Sequence, residues 1–338
     1  MRSQEDQVWY HVDVNSAYLS WTAAYRVCIL GEDLDLRDIP SVIGGSEAER
    51  HGIVLAKSGS AKRYGIRTGE TLAEARCKCP GLVIVPPDYS LYVGCSKALV
   101  ELLKKYFPHV HQYSIDEAFC RVEGTKGLWG THTAFAHQLK EEIRRELGFT
   151  VNIGVSDCKL LAKMASEFQK PDQVHTLFTR EIERKMWPLP VSDLFWVGPA
   201  TVRKLGALGI RTIGELAVMD LELLKRHLKK QGEFIWNYAN GRDVSPFLRE
   251  LPRNKGYGNS MTTPFDVTDR ETAWQVILSL TETVCARLRA DGMEAACVGI
   301  SITDREFRHG SVQTTLISAT DTTLEIYEAA RSLFDRLW

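Results

Sequence analysis

Two short apolar segments carry carboxylates that a buried strand would not normally hold. Residues 8–15 form the first, with Asp13 near its end, and residues 112–120 form the second, with Asp116 and Glu117. Burying an unpaired charge is costly, so such acids usually have a partner, a raised pKa or a metal. Taken alone, the pair Asp116 and Glu117 would also suit an edge hairpin with two solvated acids.

Neighbouring side chains in a strand point to opposite faces, so Asp116 and Glu117 reach one site only where the strand bends at a hairpin. Oxygen ligands suit Mg²⁺ or Mn²⁺, and Mg²⁺ commonly binds one or two carboxylates together with substrate phosphates. The pattern therefore predicts that Asp13, Asp116 and Glu117 form a two-metal site for in-line attack at phosphorus.

Three segments, in this order, resemble the signature sequences of the Y-family translesion DNA polymerases, the UmuC/DinB-type enzymes. They are residues 13–18, 113–119 and 153–166. The resemblance implies an α+β multidomain fold, a right-hand polymerase with a ferredoxin-like palm, small fingers, a helical helix-hairpin-helix thumb and an α/β little-finger domain. It also implies a template-directed, low-fidelity DNA polymerase without proofreading that acts in DNA repair and damage tolerance.

The expected domains follow from the resemblance and from helix and turn signals. They are the palm at 1–18 and 88–170, the fingers at 19–87, the thumb at 171–246, a linker at 247–256 and the little finger at 257–338. Residues 31–52 are expected to be rich in loops. The little finger is expected to have strand, helix, strand, strand and helix at 257–263, 271–290, 296–304, 311–318 and 322–337. The family usually adds a closing strand, which is expected to be missing here.

Composition is compatible with a DNA-binding protein without requiring one. The 338 residues are 44% hydrophobic and carry a formal net charge of −1. Residues 180–255 contain 14 Lys/Arg against 9 Asp/Glu, and such a local excess suits either a DNA groove or a solvated basic face.

Cysteine usage and hydropathy exclude other classes. The eight cysteines form no CxxC pair, so Cys77 and Cys79 are read as free thiols, with metal binding as the alternative. No apolar run reaches membrane-spanning length and the polar start is not a signal peptide, which predicts a cytoplasmic protein.

The resemblance also implies roles at the acidic site. Asp13 and Asp116 would bridge two Mg²⁺ ions, for which Mn²⁺ could substitute. Glu117 would bind the ion at the primer hydroxyl, and the Val14 carbonyl would be a further ligand.

The implied nucleotide contacts are Ser16, Ala17, Tyr18, Lys62 and Lys159. Tyr18 stands at the family's steric-gate position, where a ring under the sugar excludes a 2′-hydroxyl; a plain core aromatic is the alternative. Lys159, in the first turn of a helix, would bind the triphosphate, while Lys163 is interpreted as a surface lysine.

In the fingers, many relatives carry a Tyr and an Arg that grip the triphosphate. Gly59 and Lys62 stand there, which predicts weaker dNTP binding.

The implied DNA contacts lie in the thumb, at Gly198, Lys204, Lys225 and Arg226. A glycine turn in a helix-hairpin-helix would present backbone N–H groups to a phosphate. Trp196 replaces a usual glycine there, and a plain helical bundle is the alternative.

The expected partners are primer-template DNA and dNTP, with a monomeric chain and a sliding clamp bound through a segment not visible here. Two other functions stay open at this point. One is a polymerase-shaped factor without catalysis, and the other is a palm-type nucleotidyl cyclase. Primer extension separates all three.

Overall fold

The computed structural model describes residues 7–48, 50, 52–123, 130–243 and 254–338. It divides into two compact units, Met1–Gly45 with Ile53–Arg249, and Ser46–Gly52 with Glu250–Trp338. Residues 1–6 of the expected palm, 244–246 of the expected thumb and 247–253 of the expected linker lie outside the described residues.

The described strands are β1 (Gln7–Val14), β2 (Ser41–Gly44), β3 (Val54–Lys57), β4 (Val83–Val85), β5 (His109–Gln112), β6 (Glu117–Glu123), β7 (Val151–Ser156), β8 (Val174–Thr176), β9 (Ala295–Thr303) and β10 (His309–Thr320). The described α-helices are α1 (Ala17–Cys28), α2 (Gly59–Arg63), α3 (Leu72–Lys78), α4 (Tyr89–Lys104), α5 (His132–Leu147), α6 (Lys159–Glu167), α7 (Ile182–Lys185), α8 (Pro199–Ala207), α9 (Ile213–Val218), α10 (Leu221–Leu228), α11 (Lys230–Ala239), α12 (Arg270–Ala290) and α13 (Thr323–Leu337). Most expected elements are present, with ends shifted by a few residues.

A five-stranded sheet in the order β5-β6-β1-β7-β8 forms the centre of the larger unit. Strand β1 pairs antiparallel with β6 and β7, so both of its edges are hydrogen-bonded. Alternate side chains of β1 face opposite sides of the sheet. Those that pack in the main core with α4 and α5 are Val8, Tyr10, Val12 and Val14.

Helix α6 covers the other face of the sheet. Trp9 packs there against Ala162, and the Nδ1 atom of His11 lies 2.7 Å from the Ser166 hydroxyl. The helix comes very close to β7, since a Cβ added at Gly154 would lie 1.9 Å from the Ala162 carbonyl oxygen. Only glycine at this position permits that packing, which sets how near α6 lies to the acidic end of β1.

Residues 31–52 are mostly loop, as expected, but they contain a strand, β2. It is the central strand of a three-stranded sheet, β3-β2-β4, and all four of its residues are buried. The strand is short and uniformly apolar apart from Ser41, so it lacks the alternation that identifies a half-buried strand.

Helices α7–α11 share one core with the outward side of α6. Within this helical region, α8 and α9 form a hairpin whose turn contains Gly209 at φ +80°. Trp196, just before α8, has φ +70°. Trp196 therefore has the left-handed backbone conformation that favours glycine, and this conformation is strained for a tryptophan.

In the smaller unit, α12 and α13 pack against the β9–β10 hairpin. The expected strand at 257–263 is wrong, because these residues form no strand and pair with none of the described strands. Their polar groups bond to α12 and its end instead. The Tyr257 hydroxyl donates to Asp291 at 2.6 Å, and Arg287 donates to the Gly258 carbonyl at 2.8 Å.

Candidate active site

The register of the central sheet brings two of the expected acids together. Asp13 lies directly opposite Glu117 in the β1–β6 pair. One carboxylate oxygen from each of Asp13, Glu117 and Glu167 lies within 4.8 Å of the other two. Glu167, the last residue of α6, was not expected at the site. Its spacing of four and eight residues from Lys163 and Lys159, on one helix face, is the signal that could have indicated it.

These three carboxylates fit a hard divalent cation. Oxygen is the donor that Mg²⁺ and Mn²⁺ prefer. Two oxygens on opposite sides of one Mg²⁺ ion are about 4.2 Å apart, so a cluster within 4.8 Å needs only small shifts to bind it.

Asp116 lies in the turn between β5 and β6, just before Glu117. Its backbone carbonyl accepts a hydrogen bond from Val14 N at 3.0 Å, and its carboxylate accepts one from the Ser114 hydroxyl at 2.6 Å. The hairpin bend is therefore where it was expected. Among the described residues, the Asp116 carboxylate is not part of the close oxygen cluster.

Lysine ammonium groups neutralise the acids. Lys170, in the loop after α6, lies 2.9 Å from an oxygen of Asp13 and 3.0 Å from one of Glu167. Lys163 lies 2.5 Å from Glu117 Oε1. Every acid of the cluster is thus paired with a cation, which offsets the cost of burying Asp13 and Glu117.

The interpretation of Lys163 as a surface residue is wrong. Its side chain is 8% exposed. The close packing of α6 on the sheet, through Gly154, places it over the strand ends instead of in solvent.

Burial and ion pairing shift the two facing acids in opposite directions. Burial raises the pKa of Asp13 to about 7, against the lowering effect of Lys170. Burial also acts to raise the pKa of Glu117, but the bond and charge of Lys163 outweigh it, and the pKa of Glu117 is lowered. Glu117 is therefore the more acidic member of the pair.

Two asparagines hold the loop that carries Lys170. Asn15 accepts a hydrogen bond from Asp172 N at 2.9 Å and donates to Asn152 at 3.0 Å. Asn152 in turn donates to the Gln169 carbonyl at 2.7 Å. The loop is thereby fixed beside Asp13 by buried side chains whose role was not expected from the sequence.

Lys159 is the first residue of α6, as expected. Its ammonium lies 4.7 Å from the centre of the Phe119 ring, and burial lowers its pKa. The helix N-terminus beside it already binds a carboxylate, since Leu160 N donates to Asp243 at 3.2 Å.

Tyr18, in the first turn of α1, stacks on another tyrosine. Its ring is parallel to that of Tyr92, with centroids 4.3 Å apart and an interplanar angle of 7°, and Tyr89 meets it edge-on. Tyr18 is only partly buried. Before it, Ser16 has φ +48° and Ala17 is buried.

The two positions expected to lie in the fingers, Gly59 and Lys62, are both on α2. Ser58 caps this helix by accepting from Ala61 N at 3.0 Å, while Gly59 and Lys62 are both exposed. A Cβ added at Gly59 would meet nothing within 4 Å, so a larger residue fits there.

The expected DNA contacts lie at helix ends and on exposed faces. Gly198 is the N-cap of α8 and is an exposed residue. Lys204 and Arg226 are exposed, whereas Lys225 is partly buried and lies 3.4 Å from Glu222 and 3.6 Å from Glu233.

Two family models match the chain. Residues 12–167 match the impB/mucB/samB family, and residues 254–338 match the C-terminal domain of that family. The first match contains all the acids of the site.

Curated relatives match nearly the whole chain. The DNA polymerase IV of Clostridium acetobutylicum is 46% identical over 98% of this chain and 83% of its own length. That of Acetivibrio thermocellus is 39% identical over 98% of this chain and 82% of its own. A solved structure, a Y-family DNA polymerase chimera of Dbh and Dpo4, superposes with a TM-score of 0.83 at 18% identity, covering 98% of this chain and 93% of that chain.

The chain belongs to the impB/mucB/samB family, the DinB-type branch of the Y-family DNA polymerases. It is a DNA-directed DNA polymerase of the translesion class that acts on DNA and dNTP and depends on divalent metal ions. The expected class and the expected α+β multidomain fold are confirmed. Among the described residues, no helix has the length and apolarity to cross a membrane.

Proposed function

We propose that this polymerase extends primers with two Mg²⁺ ions held by Asp13, Asp116 and Glu117, with Mn²⁺ able to substitute. The observation that carries the proposal is the oxygen cluster that contains Asp13 and Glu117 at one end of the central sheet. When bound, the two ions would supply activation of the primer 3′-hydroxyl and neutralisation of charge on the triphosphate and the leaving pyrophosphate.

The residues of the site have distinct tasks. Asp13 and Glu117 are held on paired strands, so their separation is set by the sheet. Asp116 is held by Ser114 in the adjoining turn and would be the third carboxylate that holds the ions. The Val14 carbonyl supplies a further oxygen ligand.

Tyr18 selects deoxyribonucleotides. Its stacking on Tyr92 keeps the ring from rotating away, so the ring edge stays where a 2′-hydroxyl would clash. Ser16 and Ala17 line the same turn and contact the incoming nucleotide.

Cations at the site neutralise the triphosphate. Lys159 at the start of α6 and Lys62 on α2 are two of them. Lys170 lies beside the acids, at 2.9 Å from Asp13, and would be a further cation for the triphosphate.

DNA is bound by the helical region without sequence selection. Gly198, Lys204, Lys225 and Arg226 offer backbone N–H groups and cations to the phosphates. The enzyme works as a low-fidelity monomer without proofreading in the cytoplasm, with a sliding clamp as a partner.

Primer extension tests this proposal directly. A primed template with one abasic site, Mg²⁺ and dNTP should give templated extension and bypass, and EDTA should stop both. Extension in the absence of a template would contradict the proposal, and so would a lack of extension on the primed template.

A further inference from the structure

Lys163 makes a buried ion pair that the proposed reaction does not otherwise use. Its ammonium lies 2.5 Å from Glu117 Oε1, while Glu117 Oε2 is 3.4 Å from the Ser114 hydroxyl. The two carboxylate oxygens of Glu117 therefore have different partners, and Lys163 determines which of the two is paired with a cation.

Two aromatic rings enclose the same ammonium group. The Tyr113 ring centre is 5.6 Å from Nζ and the Phe195 ring centre is 5.0 Å from it. Tyr113 belongs to the turn between β5 and β6, whereas Phe195 belongs to the turn before α8. A cation over such ring faces is attracted by their negative potential, and the attraction increases when water is excluded.

We propose that Lys163 is a positioning residue for nucleotide addition, which holds Glu117 Oε1 so that the carboxylate keeps one orientation toward the metal ions. This inference rests on the proposed metal site. It predicts that loss of Lys163 misplaces Glu117 without removing a metal ligand, because an ammonium group cannot itself bind a cation.

Lys163→Met keeps the length of the side chain and removes its charge. Its kcat for single-nucleotide insertion should fall at least about tenfold, since small misplacements at a reacting centre are costly. The KM for dNTP should stay within about threefold of the parent value, because the interaction lost acts on the chemical step.

Metal binding supplies a readout besides activity. Free Mn²⁺ is counted by EPR in the presence of the full chain and primer-template DNA. Lys163→Met should bind Mn²⁺ within about threefold of the parent affinity. Loss of the ammonium group leaves Glu117 less well oriented, but it also removes a positive charge that repels Mn²⁺, and the two effects oppose each other.

Lys163→Arg should recover most of the lost kcat, because a guanidinium can bond Glu117 and stack on both rings. Lys185→Met is the matched control, because Lys185 is also ion-paired, at 2.8 Å from Glu181, but lies on α7 away from the acids. It should have the parent kcat. Circular dichroism checks that each variant is folded.

Three results would overturn the proposal: a parent-like kcat in Lys163→Met, an Arg variant as slow as the Met variant, or Mn²⁺ binding lost together with activity. If Lys163→Met does not fold, Phe195→Leu decides, since it removes one ring and leaves the ion pair. Its kcat should fall about three- to tenfold with Mn²⁺ binding unchanged, and an unchanged kcat would count against Lys163.

Glu117→Gln separates this inference from the proposed function. It should weaken Mn²⁺ binding and abolish insertion. If Glu117→Gln still inserts nucleotides, the proposed metal site is wrong, whatever the Lys163 variants do.

Discussion

The side chain proposed to select the sugar is held by neighbours that the linear sequence does not reveal. Tyr18 stacks on Tyr92, whose hydroxyl lies 3.2 Å from the Thr22 hydroxyl on the same helix as Tyr18. A ring held in this way is a more effective barrier than a free one, because a mobile ring could rotate away from a 2′-hydroxyl.

Tyr18→Ala should therefore raise rNTP insertion relative to dNTP insertion on the order of 100-fold, if the clash is worth at least ~3 kcal/mol. Single-nucleotide insertion of both sugars measures the ratio. Tyr25→Ala is the control, because Tyr25 is on the same helix but exposed. An unchanged sugar preference in Tyr18→Ala would make Tyr18 a core residue only.

The region expected to form the fingers has room for a larger side chain at Gly59. The double variant Gly59→Tyr with Lys62→Arg should lower the KM for dNTP by about tenfold, because it adds a hydroxyl donor and a bidentate guanidinium. Steady-state insertion kinetics measure this. Gly81→Tyr is the control, since a Cβ there is also unobstructed. A KM equal to the parent's would remove α2 from the nucleotide site.

At the scale of elements, one strained turn links the helical region to the acidic site. Trp196 at φ +70° directly follows Phe195, whose ring lies over Lys163. The Trp196 carbonyl accepts a hydrogen bond from Gln231 at 3.1 Å, and its ring meets Phe234 edge-on. These contacts offset the conformational cost and keep the turn in place.

Trp196→Gly should be more stable than Trp196→Ala by about 1 kcal/mol, because only glycine adopts positive φ without a Cβ penalty. Denaturant unfolding measures both. The exposed helix position Lys97 on α4 is the control, and the order should reverse there, with Ala more stable than Gly by about 1 kcal/mol. If Ala is more stable than Gly at position 196 as well as at position 97, Trp196 is not strained.

At the scale of the whole molecule, the acids and the general fold were predictable. Asp13 and Glu117 interrupt apolar strands, and helix and strand periodicity located most elements. Lys163 was misjudged because its depth depends on how closely α6 approaches β7 at Gly154, a tertiary contact. Glu167 and Lys170 were missed for the same reason. The prediction of a strand at 257–263 was wrong because the polar groups of this segment form hydrogen bonds with side chains of the smaller unit, and not with a neighbouring strand.

The most direct test of the central claim compares Asp116→Ala and Glu117→Ala with the parent protein. Single-turnover insertion with Mg²⁺ and primer-template affinity are measured on the same samples. Insertion should be abolished in both variants while DNA affinity changes little, since cations remote from the acids neutralise the phosphates, and that affinity should fall steeply with salt. Undiminished insertion by either variant would contradict the proposed site.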